Sequence, residues 1–401
     1  MSVLAGIRVG DMGLWVAGPA AAGIMADWGA DVVKVEMLTG DPMRNLFGAL
    51  SGSKESRCPP FDLYNRGKRS VAIDVNQPRG AELARRLVAD ADVFVTNMRP
   101  QFLKRVGLDH DALLAACPRL VYALLTGYGL EGPDKDAPGF DFAAFSARSG
   151  VADRATPAGE SPPTLPGGIG DNVTAMALVA GVSAALLARE RTGQGQLVST
   201  SLLRTGIYAI GMDVSIRLGL DRITPAPSRK APPNPLMNSY RAADGRWFWL
   251  VGAESDRHWP ILLKATGRPD LGDDERFRTP RDRRRNAAVL VSALDEVFAT
   301  KSREAWAEIF RREDVWWAPV NSADDLLVDP QVAAAGAFVQ VPARSGAGSR
   351  KDVATPIDFG REPVTPSGPP PELGRDADAI LGAAGLSGDD IAGLRRDGVV
   401  G

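Results

Sequence analysis

The first 36 residues constrain the fold more tightly than any other stretch of the chain. "AGIRVGDMG" predicts a buried strand ending in a glycine turn. "GPAAAGIMADW" predicts a helix with Pro19 in its first turn and Gly29 closing it, and "ADVVKVE" predicts a second strand. Strand, helix and strand at this spacing make a βαβ unit, whose ligand side lies at the carboxyl ends of its strands. The pattern continues with "SVAIDV", "DVFVTN" and "LVYALLTGYG" as strands, and with "PRGAELARRLVADA" and "HDALLAAC" as helices. The expected class is α/β with a mostly parallel sheet.

From about 131 to 170 the chain reads as loop, dense in proline and glycine. The segment "TPAPSRKAPPNP" (224–235) reads as a linker, and "YRAADGRWFWLVGA" as a hairpin around an Asp-Gly turn. Helical patterns fill roughly 257–313. These divisions predict a large α/β domain over 1–225, completed by 331–401, and a smaller α+β domain over 226–330.

A chain of 401 residues with 44% apolar and 24% charged residues has the composition of a soluble globular protein. Its formal net charge of −2 argues against nucleic acid or an anionic membrane as the main partner. The opening "MSVLAGIRVGDM" lacks a signal peptide's basic start and apolar core, and the most apolar run, roughly 173–188, falls short of the about 20 residues a spanning helix needs. A cytoplasmic location is expected. Cys58 and Cys117 fit no metal spacing, and two histidines in the whole chain exclude a histidine-rich metal site.

One acid stands out. In "LPGGIGDNVTAMALVAGVSAALLARE" (165–190), Asp171 separates a glycine-rich turn from an uncharged run that lasts from Asn172 to Ala188. That run predicts a buried helix, apolar nearly all round, with Asp171 as its N-cap. No G-x-S-x-G is present and neither histidine sits in a catalytic context, so carboxylates remain as nucleophiles or bases, Asp171 the best placed. Glu36 ends the second strand, where a ribose-binding acid would sit, but the G-x-G-x-x-G spacing is missing. Arg66, Lys68 and Arg69, then Arg99, Lys104 and Arg105, form a basic constellation near predicted strand ends that would suit a ligand with several phosphates.

Several segments, in order, resemble the family III CoA-transferases, a group that includes formyl-CoA transferase, carnitine CoA-transferases and α-methylacyl-CoA racemase. They are "LAGIRVGDMGLWVAGPAAAGIMADWGADVVKVE", "YNRGKRSVAIDV", "ADVFVTNMRPQFLKRVGLD", "RLVYALLTGYGLEGP", "PGFDFAAFSARSG", "GDNVTAM", "ERTGQGQLV" and "APVNSADDLLVDPQV". The resemblance implies a Rossmann-like large domain, an interlocked homodimer, and coenzyme A or acyl-CoA as substrate with no permanently bound cofactor. By the same resemblance Asp171 is the catalytic aspartate. Leu14, Val16, Ala17, Ile73, Asn76, Asn97, Met98 and Arg105 match coenzyme A contacts. The implied reaction moves coenzyme A from an acyl-CoA to a free carboxylic acid through an aspartyl anhydride and thioester.

The chain also departs from the family. Its racemases pair the aspartate with a histidine in a G-H-D segment; here the segment is "GFD", and Phe140 cannot carry a proton. That disfavours racemisation of a 2-methylacyl-CoA, while the intact Asp171 turn disfavours a mere acyl-CoA-binding protein. Asp141 reads as structural. The family's frequent basic residue after the third strand is Asn76 here, and an arginine after the second is Met37, so Lys68 or Arg69 is expected to take phosphate instead. The loop "VGAESD" (251–256), with Gly252 and Glu254, is expected to cover the acyl group. Trp15, Phe140 and Phe145 hint at a hydrophobic acyl chain.

Overall fold

Short runs rich in valine, each ending near a glycine, an asparagine or a proline, form the main sheet: β1 (Arg8–Met12), β2 (Asp31–Glu36), β3 (Arg69–Ala72), β4 (Val93–Thr96), β5 (Val121–Thr126) and β6 (Leu197–Ser201). In the computed structural model, which describes residues 2–46, 58–157, 159–222, 226–343, 348–361 and 363–401, all six run parallel in the order β3-β2-β1-β4-β5-β6. This is the Rossmann-like order. Between β1 and β4 the winding reverses, and the crevice beyond their carboxyl ends is where such sheets bind ligands.

The chain divides into two compact units. The first comprises Met1–Asp153, Thr164–Gly219 and Gly336–Gly401; the second comprises Arg154–Pro163 and Leu220–Ala335. In the first, parallel strands buried on both faces need helices on both sides. The helices Ala17–Asp27 and Ile169–Thr192 cover one face, with Val9, Val93, Val121 and Leu125 beneath them. On the other face lie Pro78–Ala89, Pro100–Val106 and the late helices Ala377–Ala383 and Gly388–Arg396. The last residues return to the sheet, where Gly401 N–H donates to Ala72 O and Asp74 N–H to Val399 O.

The second unit contains β7 (Met237–Arg241), β8 (Trp247–Val251) and β9 (Trp317–Pro319), an antiparallel sheet whose first hairpin turns at Asp244-Gly245. Tyr240, Phe248, Phe298, Trp306 and Phe310 form its aromatic core.

Two expectations about local structure change. Asp141–Arg148, within the stretch read as loop, is a π-helical segment, and a short helix follows at Val151–Arg154. The helix after Asp171 spans 24 residues, Ile169–Thr192, so by length and composition it is long enough to cross a bilayer. It is not buried all round. One face, from Thr174 and Leu178 to Val182, Ala185 and Arg189, packs on the sheet and on the Ala17–Asp27 helix, while Met176 and Leu187 are exposed. Small and apolar residues occupy both faces, so composition alone does not mark which face is inside.

Candidate active site

The turn after β1 is fixed by buried charge. Asp11, inside the sheet, accepts the Gly13 N–H at 2.9 Å through one oxygen and Lys68 Nζ at 2.7 Å through the other. Lys34 Nζ donates to Gly13 O at 3.0 Å and pairs with Asp41 at 3.1 Å. Asp41 in turn accepts the N–H groups of Trp15 and Met43. All four ionic side chains are out of solvent, so each needs its partners. Burial alone would raise the Asp11 carboxyl, but Lys68 and Lys34 beside it hold it below the usual carboxylate range. Burial brings Lys68 down to about 8 despite Asp11.

This frame holds Trp15 at φ 63, a left-handed conformation that a bulky residue adopts only under constraint. From the other side of the reversal, Asn97 clamps Leu14: its Oδ1 accepts the Leu14 N–H and its Nδ2 donates to Leu14 O, both at 2.8 Å. Gly18 makes room for the clamp, since a Cβ there would stand 3.0 Å from Asn97 Oδ1.

The second half of the site is the start of the Ile169–Thr192 helix. Its N-cap position is Gly168, at φ 82, and Asp171 lies in the first turn. The expected N-cap role for Asp171 is therefore wrong. Asp141, from another segment, supplies the carboxylate, accepting the Gly170 N–H at 3.1 Å and interacting with the Gly168 and Ile169 N–H groups. Asp141 reaches there because the backbones of Gly127 and Gly139 touch: a Cβ on Gly127 would fall 2.5 Å from Gly139 Cα. With the helix start already capped, the Asp171 carboxylate has no hydrogen-bond or ion-pair partner among the described residues. Burial, and then the charge of Asp141, push it up to about 7. The helix dipole favours the anion, but these two effects outweigh it.

Both halves open on one cavity of about 450 Å³, built wholly by the first unit. Its walls include Leu14, Trp15, Val16, Ala17, Asn97, Met98, Phe140 and Asp171, eight residues brought together from four separate stretches of chain. Arg99 and Lys135 are the basic residues of the lining; Lys135 escaped notice in the sequence because it sits in a proline-rich turn with no pattern around it.

Other expected site residues do something different. Ile73 is a core side chain, fully buried beneath the returning C-terminal segment. Asn76 and Arg105 meet each other at 3.3 Å, with Arg105 stacked on Phe102. Lys68 is enclosed by Asp11, Asn65 and Pro19 O, and Arg69 makes a fork to Asp31 at the opposite end of the strands. Neither presents a charge to the cavity. Glu36 is buried and held by Arg44 and Ser70, which removes it as a ribose ligand. Phe145 is core, packed against Gly170. Gly252 and Glu254 belong to the second unit, where a Cβ on Gly252 would meet Leu236 and His258, and Glu254 pairs with Arg257.

The model of the family described as "CoA-transferase family III" matches residues 4–377. The chain belongs to CoA-transferase family III. Among its relatives in that family, it is similar to (R)-2-hydroxy-4-methylpentanoate CoA-transferase of Clostridioides difficile, 32% identical over 99% of both chains. It is also similar to cinnamoyl-CoA:phenyllactate CoA-transferase of Clostridium sporogenes, 31% identical over 99% of this chain and 97% of that one. Among solved structures, a CAIB/BAIF family protein from Brucella suis superposes with a TM-score of 0.85 at 28% identity, over 96% of this chain and 99% of that one. As a family III CoA-transferase, the chain acts on coenzyme A thioesters and carboxylic acids.

Proposed function

We propose that this family III CoA-transferase works through Asp171 as nucleophile. The observation that carries the reading is a carboxylate at a helix start that faces a cavity, is raised to about 7, and is held by no partner among the described residues. At neutral pH about half of it is ionised. One Asp171 oxygen attacks the thioester carbonyl; the carbon–sulfur bond breaks and coenzyme A leaves as thiolate from an acyl–aspartyl anhydride. The thiolate attacks Cγ of Asp171 and expels the donor acid as carboxylate, leaving an aspartyl–CoA thioester. The acceptor carboxylate attacks Cγ and releases the thiolate, which then takes the acceptor's acyl group and frees Asp171. No net proton moves.

Leu14, Val16, Ala17 and Met98 line the thioester's path. Asn97 acts as a positioning residue, since both of its polar groups are committed to Leu14. Arg99 and Lys135 replace Lys68 and Arg69 as the phosphate-binding cations, and coenzyme A comes and goes as substrate. Ile73, Asn76 and Arg105 shape the sheet edge. Glu254→Gln tests the expected acyl cover: an unchanged preference among acyl donors removes Gly252 and Glu254 from the site.

The functional particle is a homodimer working in the cytoplasm, free of membrane. Tyr208, Met212 and Leu218 are each more than three-quarters exposed on helices Leu202–Ala209 and Gly211–Leu220, an apolar surface that association would cover. Both cysteines are free thiols. Sedimentation equilibrium at micromolar protein should give twice the chain mass.

The decisive experiment incubates the protein with an acyl-CoA alone and digests it. The peptide carrying Asp171 should gain the mass of coenzyme A, in a linkage cleaved by hydroxylamine. An unmodified peptide, or transfer surviving in Asp171→Ala, ends the proposal.

A further inference from the structure

The surroundings of Asp171 also constrain what it can act on. Val16 Cγ1 lies 3.9 Å from where a Cβ on Gly168 would stand, which places this side chain beside the helix start that carries the nucleophile. Phe140, next to the capping Asp141, lines the same cavity and is 59% exposed; Trp15 lines it too at 38%. Large apolar side chains left this open at a cavity wall are surface that an apolar ligand group would cover. Among the described residues, the charge acting on Asp171 from nearby is another carboxylate, Asp141. The two cations of the lining, Arg99 and Lys135, are on exposed loop and helix-start positions after β4 and β5.

We propose that the site selects acyl groups and acceptor acids with a single carboxyl group and an uncharged aliphatic or aryl tail, and that Val16 and Phe140 are the residues that set this choice. The proposal rests on the Asp171 transfer reading. A second carboxylate at the far end of the acid would leave water for the apolar wall of Val16 and Phe140, beside the Asp141 carboxylate, while the lining's cations, Arg99 and Lys135, stand with the phosphates of coenzyme A. An apolar tail of the same length gains from that same wall.

The test uses the full-length wild-type chain with acetyl-CoA, butyryl-CoA and hexanoyl-CoA as donors. Hexanoate and adipate, equal in length and differing by the terminal carboxylate, serve as acceptors. With whichever donor turns over, kcat/KM for hexanoate should exceed that for adipate by about 100-fold or more. Adipate used as well as hexanoate overturns the substrate class and leaves the transfer reading standing. No new CoA ester with either acid from any donor, with wild type no better than Asp171→Ala, overturns the transfer reading and this inference with it. Phe140→Ala, at an exposed position where folding is insensitive to truncation, should lower hexanoate kcat/KM by about tenfold and adipate kcat/KM by far less. Val16→Lys should shift the ratio toward adipate. If Phe140→Ala lowers both acids equally, its wall is not selective and the assignment of that residue fails.

Discussion

The two halves of the cavity are built on opposite principles. The turn after β1 is over-determined: Asp11, Lys34, Asp41 and Lys68 are buried, mutually paired, and bound to the backbone at Gly13, Trp15 and Pro19. The start of the Ile169–Thr192 helix is capped by an acid from elsewhere, Asp141, and its own acid is left without a partner. Charge satisfied in pairs gives geometry, whereas charge left over gives reactivity. On the proposed mechanism the first half contributes shape, and the second carries the nucleophile at a cost in stability.

The strongest way to break this contrast is Asp171→Asn. Transfer should fall by about a thousandfold or more, while the fold becomes more stable. The sign follows from the raised value. Between the ordinary aspartate value of 3.8 and about 7 the folded state keeps a proton that the unfolded chain releases, so stability falls as pH rises through that window. The asparagine variant lacks that loss and should gain up to about 4 kcal/mol above pH 7, with little difference near pH 4. Thermal melts at the two pH values check it; a variant no more stable than wild type at pH 8 refutes the idea that the acid is held at a cost.

The opposite result is expected in the frame. Asp41→Ala leaves Lys34 buried without its nearest carboxylate and frees the Trp15 and Met43 N–H groups. A loss of about 3–5 kcal/mol should appear in urea unfolding. Stability unchanged by this substitution would mean that the turn holds itself.

Asn97→Ala tests positioning more gently. Releasing Leu14 should raise KM for the acyl-CoA by about tenfold, with kcat changed far less, since the clamp shapes binding and not the nucleophile. Equal losses in both parameters would move Asn97 into the chemistry.

The smallest effect sharpens the second half. Asp141→Asn keeps an oxygen to accept the Gly170 N–H and removes the like charge. Burial is the larger cause of the Asp171 shift, so the ascending limb of kcat/KM against pH, centred near 7 in wild type, should move down by about half a unit to one unit. A limb that stays in place assigns it to another group.

Much of the first half was legible in the sequence as location and little of it as role. Valine-rich runs punctuated by glycine announced the sheet and its order of elements, and the uncharged run after Asp171 announced its helix, because both signals are local. Asn97 and Lys68 read as polar residues near strand ends and as ligand contacts, while Glu36 reads as the place of a ribose-binding acid without the glycine spacing that would go with it. The structure gives each of them to the protein itself. What decides between these fates is which residue stands across the sheet, such as Lys68 against Asp11 from 57 positions away, and spacing along the chain does not carry that. The N-cap misreading has the same origin: an Asp before an apolar run is the ordinary capping pattern, and only the fold shows that Asp141 fills the place first.

The contact between Gly127 and Gly139 has a consequence for how this site can change over evolutionary time. Most packed pairs are negotiable, because a gain in bulk on one side can be met by a loss on the other. Here neither partner has a side chain to give up, so a mutation at one position has no remedy at its opposite number. The segment bearing Phe140 and Asp141 can therefore vary in what it displays toward substrate while its point of attachment stays fixed. New specificities would be reached by exchanging residues along that segment, and not by moving it.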